Sequence, residues 1–207
     1  MPKPAARNPQ GRQAQKSAAT RQAVVDATLS CIRKSGYGAV TMEDIAREAG
    51  VSRGAMMHHF PGKADVIATA VRMLHERRLA TLRREIADIA LEKDLIDHAL
   101  RAYWRITNTQ DFWTFHQLFV AARTDRELAA TLTPLARRFD KEWENAAYEL
   151  FEPIYGAQTD LAIDLCQSLV EGMVLGGHFR GKGAKARIER LLDVLSARLH
   201  QIVRDTR

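Results

Sequence analysis

Three observations predict an all-α fold. Apolar positions recur at intervals of three and four along most of the chain. No stretch alternates with period two, and Ser, Thr or Asp stands at N-cap positions ahead of most periodic segments. No internal repeat is visible, which argues against a solenoid. The expected architecture is an N-terminal three-helix unit containing a helix-turn-helix, followed by a larger helical domain.

Residues 1–19 hold Pro2, Pro4, Pro9 and Gly11, four basic residues and no acidic one, so the expectation is a disordered basic arm. Such an arm suits phosphates or the minor groove, or serves only as a solubilising leader. From Thr20, Val24, Ala27, Thr28, Cys31 and Ile32 follow helical spacing up to Gly36. Cys31 falls on the inward face. Thr41 and Asp44 form a capping-box variant at the start of a two-turn helix with Ile45, Ala46 and Ala49 on one face. Gly50 suits a left-handed C′ position, and Ser52 can cap a second helix from Arg53 to Phe60.

This is helix-turn-helix spacing. Met56 and Phe60, four apart, can pack back on the first helix, while Arg53, Gly54, Ala55, Met57 and His58 face outward. In such a motif the start of the second helix reaches base edges in the major groove, and small residues let the backbone approach phosphate. A helical hairpin with a solvated face is the alternative reading of the spacing alone.

At these residues the chain resembles the TetR-type (TetR/AcrR) transcriptional regulators. The resemblance covers about Thr20 to Ile67, through ATLSCIRKSGY at Ala27 to Tyr37, TMEDIAREAGVS at Thr41 to Ser52, and HFPGK at His59 to Lys63. It implies that Thr41, Ser52, His59 and Lys63 touch phosphate or brace the motif, and that Arg53, Ala55, Met57 and His58 face the groove. Met57 departs from the family's usual Tyr at that position, which removes a phenol contact to phosphate.

Pro61 and Gly62 then break the chain. A helix from Lys63 or Asp65 to about Glu85 turns Val66, Ala70, Met73 and Leu74 inward, and Asp94 and Asp111 can each cap a further helix. Thr133 and Pro134 suit N-cap and N1 of a helix to about Phe151, the alternative being one kinked helix from Asp125. Thr159 can cap a helix ending near Gly176. The last helix, about Ala184 to Val203, carries Ile188, Leu191, Leu192, Leu195, Leu199 and Ile202. The expected domains are therefore an arm over 1–19, a DNA-binding unit over 20–64, and an effector-binding and dimerisation domain over 65–207.

Charge favours a polyanionic partner for the first part. Of the formal net charge of +6 over 207 residues, residues 1–63 supply all, with ten Lys or Arg against four Asp or Glu. Localised basic excess raises affinity for nucleic acid through counterion release. The 46% apolar content is ample for a core, and the longest charge-free run, 112–122, is shorter than the ~20 residues a membrane helix needs. The basic N-terminus has no apolar core behind it, as a signal peptide would. Cys31 and Cys166 lie far apart, against a disulfide framework or a four-ligand zinc site. A cytoplasmic chain without membrane contact is expected.

No catalytic constellation emerges from spacing, and no cofactor or metal site is expected. The run GGHFRGKG over Gly176 to Gly183 misses a phosphate-binding loop, because Gly183 stands where Ser or Thr should bind magnesium and a helix precedes it. His75-Glu76 lacks the second histidine of a zincin, Leu79 standing there. His58 and His59 point about 100° apart on a helix, which makes them poor co-ligands. The middle of the chain is rich in aromatic residues, and most suit an ordinary core. By the resemblance, Trp104, Trp113, His116, Phe119 and Trp143 fall in the segment that forms an effector pocket, suited to a hydrophobic small molecule. Leu169, Met173, Leu191, Leu195 and Leu199 form stripes suited to a homodimeric four-helix bundle.

The expected function is a dimeric regulator binding a near-palindromic double-stranded DNA operator, a repressor by the resemblance, released by a small-molecule effector. The alternatives are an all-α enzyme with an incidental basic N-terminus and an architectural DNA-binding protein without effector.

Overall fold

The computed structural model describes residues 9–89, 94–177, 181 and 183–206, and its regular elements are all helical. They are α1 (Pro9–Ser35), α2 (Met42–Glu48), α3 (Arg53–His59), α4 (Lys63–Ile89), α5 (Leu95–Thr107), α6 (Gln110–Ala121), α7 (Arg126–Tyr155), α8 (Thr159–Gly177) and α9 (Ala184–Thr206), with short 3-10 turns at Tyr37–Ala39 and Gly156–Gln158. Among the described residues no helix is long and apolar enough to cross a membrane. Two compact units divide the chain: residues up to Met73 with Thr114–Leu135, and Leu74–Trp113 with Ala136–Arg207. The helices α4, α6 and α7 run from one unit into the other.

The first helix begins earlier than the sequence suggests. It is continuous from Pro9, so residues 9–19 of the expected disordered arm are helical, and the rest of the arm, residues 1–8, lies outside the described residues. Proline at the first position lacks only an N–H that a helix start leaves unpaired anyway. Gln13 to Ala19 are exposed and bury no face. Good helix formers there simply extend a helix already nucleated by the packed turns around Val24, Leu29 and Ile32, and extension costs far less than nucleation.

Caps set the other boundaries. Asp94 accepts the Asp97 N–H at 3.0 Å and starts α5 as expected. The cap of α6 is Thr109, not Asp111: its hydroxyl accepts the Phe112 N–H at 3.3 Å, and Asp111 lies in the first turn. Helix α7 starts after Asp125, which accepts the Leu128 N–H at 2.9 Å. Thr133 and Pro134 therefore lie inside one long helix, where the Thr133 hydroxyl donates to the Ala129 carbonyl at 2.7 Å.

The second unit has its own core. Leu79 and Leu82 of α4, Leu100 and Tyr103 of α5, Phe139 and Trp143 of α7, Val170 of α8 and Leu192, Leu195, Leu199 and Ile202 of α9 form one buried cluster. This bears on the expected dimer stripe. Leu195 and Leu199 are 3% and 4% exposed within a single chain, because they sit on the inner side of α9, while Leu169 and Leu191 are 48% and 42% exposed and Met173 is half-buried. Val194, 67% exposed, belongs to the outer face that periodicity missed. Replacing Leu195 by Ala should lower stability by about 2 to 5 kcal/mol through an internal cavity. Val194→Ala should change it by less than about 0.5 kcal/mol. Thermal unfolding at a protein concentration low enough to exclude self-association measures both.

Candidate nucleic-acid interface

The helix-turn-helix is built from local chemistry. The Thr41 hydroxyl accepts the Asp44 N–H at 3.2 Å and the Asp44 carboxylate accepts the Thr41 N–H at 3.1 Å, a reciprocal capping box that starts α2. Gly50 has φ 66, a conformation that costs glycine little, and Val51 N–H reaches back to the Ala46 carbonyl at 3.0 Å to close the helix end. Two residues on, the Ser52 hydroxyl accepts the Ala55 N–H at 3.1 Å and starts α3. The turn is therefore as short as the caps allow.

Burial on one side of α3 sets what faces out on the other. Met56 and Phe60 are 0% and 1% exposed, packed in the core that α1 and α2 share with α3. Arg21 of α1 lies over the Phe60 ring, 5.2 Å from its centre. Ser52, Arg53, Gly54, Ala55, Met57 and His58 are all exposed, and His59 is half-buried. These residues share the short helix α3 and its cap. Arg53 pairs with Glu43 of α2, and Glu48 of α2 accepts from Lys34 at 2.6 Å and Ser30 at 2.7 Å, tying α2 to α1. Thr41 is exposed at the start of α2, and Lys63 is half-buried at the start of α4. Every residue expected at a DNA surface is thus exposed or half-buried within the first compact unit.

The residues expected to form an effector pocket are not gathered in the same way. Trp143 lines a cavity of about 50 Å³ in the second unit, with Leu82 and Ile86 of α4, Tyr103 of α5, Phe151 of α7 and Cys166 of α8. Trp104 and Trp113 line a separate groove with Met173 and Ile188. His116 is half-buried and Phe119 is 51% exposed, both in the first unit. Polar groups in the cavity wall are already paired: Tyr103 donates to Glu171 at 3.0 Å, and Glu85 accepts from Arg105 at 2.6 Å. Gln167 adds an amide to the wall.

Sequence reasoning missed Arg78. Its side chain is 6% exposed and lies over the rings of Phe139, Trp143 and Phe112, at 4.7, 5.4 and 5.6 Å from their centres. Burial lowers its pKa, and the Tyr103 phenol and nearby carboxylates of Glu171, Asp140 and Asp111 oppose that. The signal was present in the spacing, since Val71, Leu74, Arg78 and Leu82 fall on one helical stripe. Next to it, His75 stacks on Phe139 at 4.2 Å, and burial, with the Arg78 charge, brings it down to about 4. The histidine of the incomplete zincin motif is therefore a neutral core residue. Among the described residues no group of three His, Cys, Asp or Glu is placed to hold a metal ion. Of the glycine-rich run, residues 178–180 and 182 lie outside the described residues.

Residues 24–70 match the model of the bacterial regulatory proteins, tetR family. An uncharacterized HTH-type transcriptional regulator of Mycobacterium tuberculosis is 30% identical over 138 residues, 67% of this chain and 71% of its own length. The HTH-type transcriptional regulator CymR of Pseudomonas putida is 32% identical over 116 residues, 56% of this chain and 57% of its own. A transcriptional regulator from Rhodococcus sp. Rha1 superposes with a TM-score of 0.70 at 21% identity, over 89% of this chain and 96% of its own, which establishes a shared fold.

The capping box predicts a pH signature. Hydrogen bonds from the Thr41 hydroxyl and N–H hold the Asp44 carboxyl below its usual 3.8, with the Arg47 charge adding to them. A lowered folded-state pKa stabilises the fold above the unfolded value, and that stabilisation is lost as pH falls through the folded value. Asp44→Ala should therefore melt below the wild type at pH 7, and the gap should shrink in scans taken below the unfolded value near 3.8.

Proposed function

We propose, from the premise that this chain belongs to the tetR family of bacterial regulatory proteins, that it binds a near-palindromic operator as a homodimer and releases it when a small hydrophobic effector binds. The chain is a transcriptional regulator rather than an enzyme, as its relatives are named. The observation that carries the finer reading is α3, a helix with one side sealed into the core and its N-terminal half exposed. Arg53, Gly54, Ala55, Met57 and His58 are offered to the major groove, and Thr41, Ser52, His59 and Lys63 to phosphates. The proposed working division is a DNA-binding unit over 20–64 and an effector and dimer domain over 65–207.

Two copies of α8 and α9 form the proposed dimer, through Leu169, Leu191 and Val194, the large apolar side chains those helices leave exposed along one groove. A two-fold axis then sets two α3 helices roughly 34 to 36 Å apart, one turn of duplex DNA. Selection of bound duplexes from a random pool should return inverted half-sites at that spacing. Substituting Val194 and Leu191 together by Glu should give a folded monomer in sedimentation with operator affinity lowered at least tenfold. A double variant that stays dimeric removes this interface.

The effector reading rests on the cavity beside Trp143. Because the Tyr103 phenol and the Glu85 carboxylate are engaged within the protein, the surface left to a ligand is mainly apolar, which suits a neutral aromatic or aliphatic molecule. A volume of about 50 Å³ holds only a water or two, so the walls must part to admit the effector. The helix α4 carries Leu82 and Ile86 in that wall and begins at Lys63, so displacement of its far end is the proposed lever on DNA affinity. Coupling is reciprocal: operator DNA should weaken effector binding by the factor, about 5- to 150-fold, by which effector weakens operator binding. Tryptophan-fluorescence titration of neutral aromatic compounds with and without operator measures this, and equal affinities in both would exclude the switch.

A further inference from the structure

Lys63 opens α4 with its ammonium already engaged. Nζ donates to the main-chain oxygen of Tyr37 at 3.0 Å and stands 4.0 Å from the centre of the Tyr37 ring. The same carbonyl accepts the Val40 N–H at 3.3 Å, within the capacity of its two lone pairs. Gly36, with φ 73, and the 3-10 turn over Tyr37–Ala39 set the direction of that carbonyl. At its far end the ring meets the start of α7: burial, then the charge and acceptor oxygen of Asp125, push the phenol up to about 12. Burial lowers the Lys63 pKa, and the charges of Asp125 and Glu127 oppose it.

An ammonium has three N–H donors, and Tyr37 takes one. A free lysine side chain gives up its rotamer freedom when it meets a phosphate, whereas one held by folding has given it up beforehand. We propose that Tyr37 is a positioning residue for DNA binding, whose ring and carbonyl hold Lys63 at the start of α4 with two donors ready for a backbone phosphate. This rests on the DNA-binding reading given above.

Operator affinity and melting temperature are measured for Tyr37→Phe, Tyr37→Leu, Lys63→Ala and the double variant Tyr37→Leu/Lys63→Ala. Tyr37→Phe keeps the ring face and should bind within about twofold of wild type. Tyr37→Leu keeps the carbonyl but loses the ring, and should bind about fivefold more weakly. Lys63→Ala should weaken all duplexes alike and reduce the salt slope by about one, and adding Tyr37→Leu to it should cost nothing further. Equal losses in the Phe and Leu variants, or a loss by Tyr37→Leu that persists without Lys63, overturns the positioning role. A wild-type chain with no salt-dependent duplex affinity overturns the DNA-binding reading itself and the proposal with it. NMR of the wild type supplies a check that survives a misfolded Leu variant: ring current should move the Lys63 ε-methylene protons upfield, and random-coil shifts there would exclude the contact.

Discussion

The burial of Met56 and Phe60 is the constraint on which the binding surface depends. A helix of seven residues has no stability of its own in water, so α3 exists only because its inner side is sealed against α1 and α2 and its start is capped by Ser52. With the inner side fixed, a period of 3.6 residues leaves no choice about which residues turn outward. Arg53, Gly54, Ala55, Met57 and His58 are exposed because Met56 and Phe60 are not. Gly50 makes this possible at the other end. Its φ of 66 lets α2 stop and the chain turn within three residues, and a side chain there would add strain to the turn.

The charges around the motif divide between two tasks. Lys34 and Glu48, with Ser30, join α1 to α2, and Arg47 pairs with Asp44 of the capping box, so these charges are engaged within the protein. Exposed pairs of this kind add little stability, because solvent screens them. Their effect is to hold geometry. Arg53, paired with Glu43, remains exposed, and the pair parts at small cost because both side chains stay more than half exposed.

Much of this was legible in the sequence because it is local. The capping box at Thr41 and Asp44, the glycine at position 50 and the cap at Ser52 act over three to five residues, so spacing alone gives both helices and the turn between them. The second domain is different in kind. Trp104, Trp113 and Trp143 look alike in sequence, yet only Trp143 faces the cavity, and that follows from how α4, α5, α7 and α8 pack, which no local pattern encodes. The stripe on α9 shows the same limit. Leu191, Leu192, Leu195 and Leu199 are all apolar and span more than one side of the helix, so their periodicity does not say which side faces its own core. Thr133 and Pro134 misled for a related reason: a Thr-Pro pair is an N-cap signal only where a helix is free to begin, and here α7 has already run two turns from Asp125.

Buried Arg78 gives the second unit a feature that hydrophobic packing alone would not select. Removing a guanidinium from water is costly, and three aromatic faces return only part of that cost. The carboxylates around it, with the Tyr103 to Glu171 hydrogen bond at 3.0 Å, complete a polar cluster behind the wall that Tyr103 and Trp143 present to the cavity. Such a cluster tolerates few arrangements, because each polar group that loses its partner while buried costs about 1 to 3 kcal/mol. Arg78 stands on α4, one turn before Leu82, so this cluster ties α4 to the wall made by Tyr103 and Trp143, and the Glu85 carboxylate, accepting from Arg105 of α5 at 2.6 Å, ties it again between Leu82 and Ile86.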